Sequence, residues 1–105
     1  MTQTELLKGI KARLMELYGS RFRGLVLYGS HARKDFNEES DIDLLCLLEG
    51  PVNTIEEINP IVDNTYSLQL EYPDGIFHIY AVDIEDFENG AYPLCIEAKK
   101  EGVLV

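Results

Sequence analysis

The stretch "LYGSHARKDFNEESDIDLLCLL", residues 27–48, is the most informative part of this chain. It places Gly29-Ser30 at the end of one apolar run and Asp41 and Asp43 at the head of a second. In a strand, residues i and i+2 point to the same face, so these two carboxylates project side by side. Two like charges held that close repel each other unless a cation, a partner or a proton intervenes.

The two ends of this stretch together predict a site for a metal ion and phosphates. Mg²⁺ is typically held by one or two carboxylates together with phosphate oxygens. Gly29 allows close backbone approach or a positive φ, and Ser30 supplies a hydroxyl and a backbone N–H. A helical turn after Ser30 would point further N–H groups at an anion. If the two strands are neighbours, both groups lie at one edge of the sheet, which suits nucleotidyl transfer. The alternative is that Asp41 merely ends a loop and faces water, since Asp-x-Asp is frequent by chance.

The motif "GSHAR…SDIDLL", with ten residues between Ser30 and Asp41, resembles that of the minimal nucleotidyltransferase domain of the DNA-polymerase-β-like superfamily. The resemblance implies a palm-like fold and transfer of a nucleoside monophosphate, AMP in the first place, from an NTP such as ATP to an acceptor hydroxyl. It implies that Gly29, Ser30 and Arg33 bind the nucleotide. It also implies that Asp41 and Asp43 are catalytic and bind Mg²⁺.

The same resemblance suggests a protein partner. Small stand-alone members of the family often pair with a HEPN-type protein as toxin and antitoxin, and the transferase then modifies a hydroxyl of the toxin. The alternative is a catalytically inactive nucleotide-binding or antitoxin module that acts by binding its partner.

Two departures from the family pattern stand out in this sequence. Lys34 follows Arg33 where the family usually has glycine. Active members also carry a third carboxylate on the strand after the long helix, and the corresponding place here is near His78, in a run without an acid. Three candidates to complete the site remain open at this point, namely Asp83, Glu71 and His78.

Length, composition and charge limit the number of domains, the location and the partners that we expect. A length of 105 residues predicts one domain, residues 1–105, and the N-terminus lacks the apolar core of a signal peptide, so we expect a cytoplasmic protein. Seven of the nine basic residues fall within residues 1–34, and the net charge is −10. An acidic chain of this kind is not expected to bind nucleic acid or a membrane directly. Cys46 and Cys95 lie in apolar surroundings and predict plain core positions.

Hydrophobic periodicity predicts an α/β (α+β) fold with a small mixed sheet covered by helices. The middle helix is predicted to start with a capping box of Thr54 and Glu57. Pro60 then either kinks this helix or is the first residue of a second helix whose N-cap is Asn59. The strands on either side of this helix are expected to pair in parallel, and the first two strands in either sense. The predicted order is helix 4–18, strands 22–30 and 41–49, a helix over 54–72, strand 76–82, a helical turn after Asp83 and a last helix within 92–102.

Overall fold

The computed structural model describes residues 1–33 and 41–105. Lys34 and the polar loop that the sequence predicts before Asp41 lie outside the described residues. The helices are α1 (Gln3–Tyr18), α2 (Ser30–Arg33), α3 (Ile58–Glu71), α4 (Ile84–Asn89) and α5 (Pro93–Glu101). The strands are β1 (Phe22–Tyr28), β2 (Ile42–Leu48), β3 (Phe77–Asp83) and β4 (Val103–Leu104).

The four strands form one mixed sheet in the order β3-β2-β1-β4. β2 and β3 run parallel, as expected for two strands joined through a helix. β1 pairs antiparallel with β2 and with β4. The mixed α/β sheet predicted from the sequence is therefore confirmed, whereas β4 was missed because its two residues carry no periodic signal.

Helices cover both faces of the sheet. α1 and α3 pack on one face through apolar residues at helical spacing, and their buried side chains join those of the strands in one core cluster that includes Leu6, Ile10, Leu14, Leu44, Ile61 and Leu68. α4 and α5 pack on the other face, against a second cluster that contains Val26, Tyr28, Leu45, Leu47, Val82 and Ala98. β2 is buried on both sides, which explains its nearly continuous apolar sequence.

The start of α3 differs from the prediction. The Thr54 hydroxyl donates to the backbone carbonyl of Ala81 at 2.6 Å, so it ties the loop to β3 and does not cap the helix. The Asn53 side chain instead accepts the backbone N–H groups of the two residues that follow Thr54. The capping box of Thr54 and Glu57 was therefore wrong, because a tertiary hydrogen bond replaced the local one.

Pro60 lies in the first turn of α3, which begins at Ile58. A proline is tolerated there because its missing N–H would have no partner within the helix. The predicted N-cap at Asp83 is confirmed, since its carboxylate accepts the backbone N–H of Glu85 at 2.9 Å. Both cysteines are buried and free, as predicted. Within residues 1–33 and 41–105, no helix has the length and apolar character needed to cross a membrane.

Candidate active site

The two aspartates lie at the start of β2, at the edge of the sheet where β1 ends. Asp43 pairs in register with Tyr28 of β1 on one side and with His78 of β3 on the other. Asp43 shares its face of the strand with Leu45, which packs in the cluster under α4 and α5. Asp41 precedes the strand and is exposed. The antiparallel pairing of β1 with β2 thus brings the Gly-Ser turn and the Asp pair together.

Gly29 lies directly against the Asp43 carboxylate. Its φ is +76°, in the left-handed region, and a Cβ added there would stand 2.6 Å from Asp43 Oδ2. Both the backbone conformation and the space therefore require glycine at this position. The close approach that the sequence suggested is therefore directed at the Asp43 carboxylate.

His78 occupies the position in β3 where an acid was sought. Its Nε2 lies 3.0 Å from Asp41 Oδ2, and both side chains are about half exposed. Asp83 pairs with Leu48 at the far end of β3, five residues or about 16 Å from His78. Glu71 ends α3, which packs on the opposite face of the sheet. The strand register therefore excludes Asp83 and leaves His78 beside the aspartates.

Burial dominates the electrostatics of Asp43. It raises the pKa of this carboxyl above its ordinary value of 3.8, and the negative charges of Asp41 and Glu97 act in the same direction. The positive forms of His78 and His31 oppose the shift. A bound cation would favour the ionised form of Asp43, because its positive charge would stabilise the carboxylate that burial has shielded from water. The site is thus better suited to a carboxylate–cation pair than to a bare carboxylate.

Arg33, at the end of α2, reaches toward α5. Its guanidinium forms an ion pair with Glu101 at 2.9 Å and approaches Glu97 at 4.0 Å. His31, to which the sequence assigned no role, is buried on the same short helix. Glu97 and Glu101 were not candidates from the sequence. Nothing in the sequence could have singled them out, since they approach the site only because α5 folds back over β1.

Comparison with known proteins shows the family of the chain. The profile of the family described as "Nucleotidyltransferase domain" matches residues 7–101. This chain belongs to the nucleotidyltransferase domain family. The matched range includes the Gly29-Ser30 turn, both aspartates and His78, so the candidate site lies well inside the matched domain and not at its margin.

Two curated relatives of this nucleotidyltransferase are proteins of Methanocaldococcus jannaschii that are named as protein adenylyltransferases. One is 33% identical over 89 residues, which cover 85% of this chain and 81% of the relative. The other is 31% identical over 68 residues, which cover 65% of this chain and 68% of the relative.

Two solved structures share the fold of the nucleotidyltransferase. One is a nucleotidyltransferase of Sulfolobus solfataricus, with a TM-score of 0.53 and 25% identity over 97% of this chain and 80% of that one. The other is a toxin–antitoxin complex with AMP-PNP, with a TM-score of 0.57 and 18% identity over 90% of this chain and 70% of that one. At this low identity, the second likeness establishes the fold alone.

Nucleotidyltransferases use an NTP and a divalent metal ion, and the donor set of this chain fits such an ion in part. Among residues 1–33 and 41–105, no group of three or more His, Cys, Asp or Glu side chains is arranged to hold a metal by itself. Asp41, directly before β2, and Asp43, the second residue of β2, supply two carboxylates. Two carboxylates complemented by phosphate oxygens and water are a typical Mg²⁺ environment. The residues therefore fit a metal ion that binds together with the nucleotide.

Proposed function

We propose that this nucleotidyltransferase transfers AMP from ATP to a hydroxyl of a partner protein, and that Asp41 and Asp43 are the residues that would hold Mg²⁺. The observation that supports the proposal is the close approach of Gly29 to Asp43, because it brings the proposed phosphate-binding turn next to the proposed metal-binding carboxylate. The names of the relatives support an adenylyl group and a protein acceptor. The motif resemblance supports an acceptor of the HEPN toxin type.

In the proposed reaction, the acceptor oxygen attacks the α-phosphorus of ATP. A new bond forms between that oxygen and phosphorus, the bond from the α-phosphorus to the α,β-bridging oxygen breaks, and pyrophosphate leaves with the electron pair. Asp41 and Asp43 would hold Mg²⁺, which screens the charge that develops on the phosphate oxygens. The product is an AMP phosphodiester on the partner.

Gly29, Ser30 and Arg33 are the proposed nucleotide-binding residues. The Gly29 backbone approaches the site closely because it has no side chain, and Ser30 adds its hydroxyl and N–H. Arg33 provides a guanidinium, whose fork geometry suits phosphate oxygens. Its ion pairs with Glu97 and Glu101 compete with that role. Triphosphate binding is therefore expected to draw Arg33 away from α5.

A second candidate function is a nucleotide-binding or antitoxin module without catalysis. One observation favours it, namely that His78 is in register with Asp43, at the place where the family resemblance leads one to expect a third carboxylate. That carboxylate is commonly regarded as the base that takes the proton of the acceptor hydroxyl. His78 forms a hydrogen bond with Asp41. If the protein is active, the acceptor proton passes to the imidazole or to solvent, and if it is inactive, no proton is transferred.

The experiment that tests the first proposal is calorimetric titration of ATP and Mg²⁺ into the wild type and into Asp41→Asn/Asp43→Asn. Metal-dependent binding in the wild type that disappears in the double variant supports the site. Incubation with α-labelled ATP and the partner then separates the two functions. Label on the partner supports the transferase, whereas equal neutralisation of the partner by wild type and Asp43→Asn supports the binding module.

A further inference from the structure

The outer side of α3 carries a row of exposed apolar side chains. Ile58, Val62, Tyr66 and Leu70 recur every four residues and are 37%, 50%, 58% and 65% exposed, and Ile55, just before the helix, is 79% exposed. We call these five residues the α3 apolar row. Residues four apart lie on one side of a helix, so the row is continuous. A contiguous apolar surface of this kind marks an interaction site more often than scattered exposed residues do.

The α3 apolar row is continuous with the candidate active site. A pocket between α3 and β3 is lined by Ile58 and Val62 from the row and by His78 and Tyr80 from β3. His78 in turn lies 3.0 Å from the Asp41 carboxylate. β3 is the edge strand of the sheet formed by the described residues, so no further strand of that sheet separates this pocket from solvent. A molecule seated on the row therefore reaches the aspartates along the edge of the sheet.

The order of the strands assigns the two sides of the site to different ligands. The Gly29-Ser30 turn follows β1 on one side of Asp43, and His78 belongs to β3 on the other side. Phosphoryl and nucleotidyl transfer place the attacking and leaving oxygens roughly in line. If the pyrophosphate lies over the turn, as the proposed function requires, the acceptor hydroxyl approaches from the β3 side, where the apolar row begins.

The charged residues near the α3 apolar row indicate what kind of partner surface would bind to it. Residues 51–80, which contain α3 and the start of β3, have no Lys or Arg and have five acids, Glu56, Glu57, Asp63, Glu71 and Asp74. Arg13 of α1 also donates a hydrogen bond to the backbone carbonyl of Asn64, so the charges around the row are predominantly but not wholly acidic. A mainly acidic border complements a partner with an apolar centre and a basic rim. A second copy of this chain would bring the same acids into opposition, and the whole chain carries −10. The charge pattern therefore favours a different protein.

We propose that the α3 apolar row and the adjoining edge of β3 are the docking surface for the acceptor protein, which has an apolar, basic-rimmed surface and presents its hydroxyl beside His78. This inference rests on the proposed function and adds the location of the acceptor. It makes the partner contact separable from nucleotide binding, because the row lies on the side of the Asp pair away from Gly29 and Ser30.

The test uses the full chain with p-benzoylphenylalanine, a photo-crosslinking residue, in place of Tyr66, and in a second preparation in place of Met15. Met15 is a matched control because it is 51% exposed and belongs to α1, a different helix from the row. Each preparation is irradiated in a lysate of the source cells, and the same lysate is labelled with α-labelled ATP and the wild type. We expect crosslinking from position 66 to the protein that carries the AMP label, and none to it from position 15.

The identified acceptor is then purified and titrated into the wild type, Val62→Glu, Leu70→Glu and Met15→Glu. We expect the two row variants to bind it at least tenfold more weakly and the Met15 variant to bind it unchanged, with binding that weakens as salt rises. All four proteins should bind Mg²⁺ and ATP equally, which shows that the variants fold.

Four outcomes overturn the docking proposal while Mg²⁺-ATP binding persists. They are no crosslink from position 66, a crosslink to a second copy of this chain, a crosslink to a protein that never carries label, and equal acceptor affinity of the row variants and the wild type. Loss of Mg²⁺-ATP binding by the wild type itself would instead overturn the proposed function. The nucleotide titration therefore distinguishes the two failures.

Discussion

Gly29 and Asp43 are in such close contact that a single methyl group at position 29 would stand 2.6 Å from the Asp43 carboxylate oxygen. Gly29 directly follows β1 and Asp43 lies on β2, at the point where the antiparallel pairing of these strands ends. Because they are in contact, a substitution at either residue should change the position of the other.

The first prediction concerns this contact. Gly29→Ala should lower the free energy of unfolding by more than the roughly 1–2 kcal/mol that a left-handed alanine costs, because the methyl group also displaces Asp43. It should abolish ATP binding as well. Chemical denaturation and calorimetry measure the two effects.

Gly19→Ala is the matched control for this prediction. Gly19 also has a left-handed φ, +57°, but a Cβ there meets nothing within 4 Å, so only the backbone cost remains. The Asp43→Ala change should relieve part of the cost of Gly29→Ala in the double variant. Strict additivity of Gly29→Ala and Asp43→Ala would show that the contact has no energetic consequence.

The second prediction follows from the raised pKa of Asp43. In the folded state this pKa lies above its ordinary value, chiefly because of burial, so the ionised carboxylate destabilises the fold. That cost is absent below the usual titration range of aspartate and fully present above the raised pKa. Asp43→Asn should therefore raise Tm by a few degrees at pH 7 and lose this advantage as the pH falls through the aspartate range.

Asp63→Asn provides the control for net charge, since Asp63 is exposed on α3 and its change removes the same single charge. Thermal melts of the wild type and both variants from pH 3 to neutral pH make the comparison. A gain of equal size in the two variants, or a gain at Asp43 that grows as the pH falls, would contradict the role assigned to burial.

The third prediction is that the metal and the nucleotide bind together. Within the described residues, two carboxylates without a third protein ligand hold a divalent ion weakly, and phosphate oxygens complete its coordination. The affinity for Mn²⁺, used as a spectroscopic substitute for Mg²⁺, should rise at least tenfold when a non-hydrolysable ATP analogue is present. Electron paramagnetic resonance of free Mn²⁺ measures this coupling. Equal Mn²⁺ affinity with and without the analogue would contradict it.

The fourth prediction addresses the missing third acid. His78→Asp places a carboxylate in register with Asp43, where the family resemblance leads one to expect a third acid, and should increase the rate of AMP transfer by about tenfold to a hundredfold at saturating Mg²⁺. Tyr80→Asp adds a carboxylate two residues along the same strand and should not increase it. If only the His78→Asp variant transfers AMP, the wild type is the binding module. If His78→Asp is slower than the wild type, the imidazole itself serves the reaction.

The fifth prediction separates two roles of Arg33. Its ion pair with Glu101 is partly exposed and is worth about 0–1 kcal/mol of stability, so Arg33→Ala should unfold at nearly the same temperature as the wild type. It should nevertheless bind ATP at least tenfold more weakly, because a phosphate contact is lost. Glu101→Gln weakens the competing ion pair and should bind ATP as tightly as the wild type or more tightly. Parallel losses of affinity in both variants would assign Arg33 a structural role only.

Local patterns in the sequence were enough to predict the elements and the motif. Helical spacing predicted α1 and the middle helix, and apolar runs predicted the three long strands, since both patterns reflect burial. Cap and turn residues such as Asp83 and Pro93 predicted the last two helices. The spacing between Ser30 and Asp41 predicted that the Gly-Ser turn and the Asp pair belong to one site. Such features are local, so the residues that carry them lie close together in the chain.

The way in which the site is completed depended on tertiary packing. The register of β2 with β3 placed His78, and not Asp83, beside Asp43, and register depends on packing across the sheet rather than on either strand alone. The fold of α5 over β1 brought Glu97 and Glu101 to Arg33. The Thr54 hydroxyl likewise forms a tertiary hydrogen bond with the carbonyl of Ala81 in place of the predicted local helix cap. Each of these contacts joins residues at least 27 positions apart, a separation at which local sequence patterns carry no information about which groups will meet.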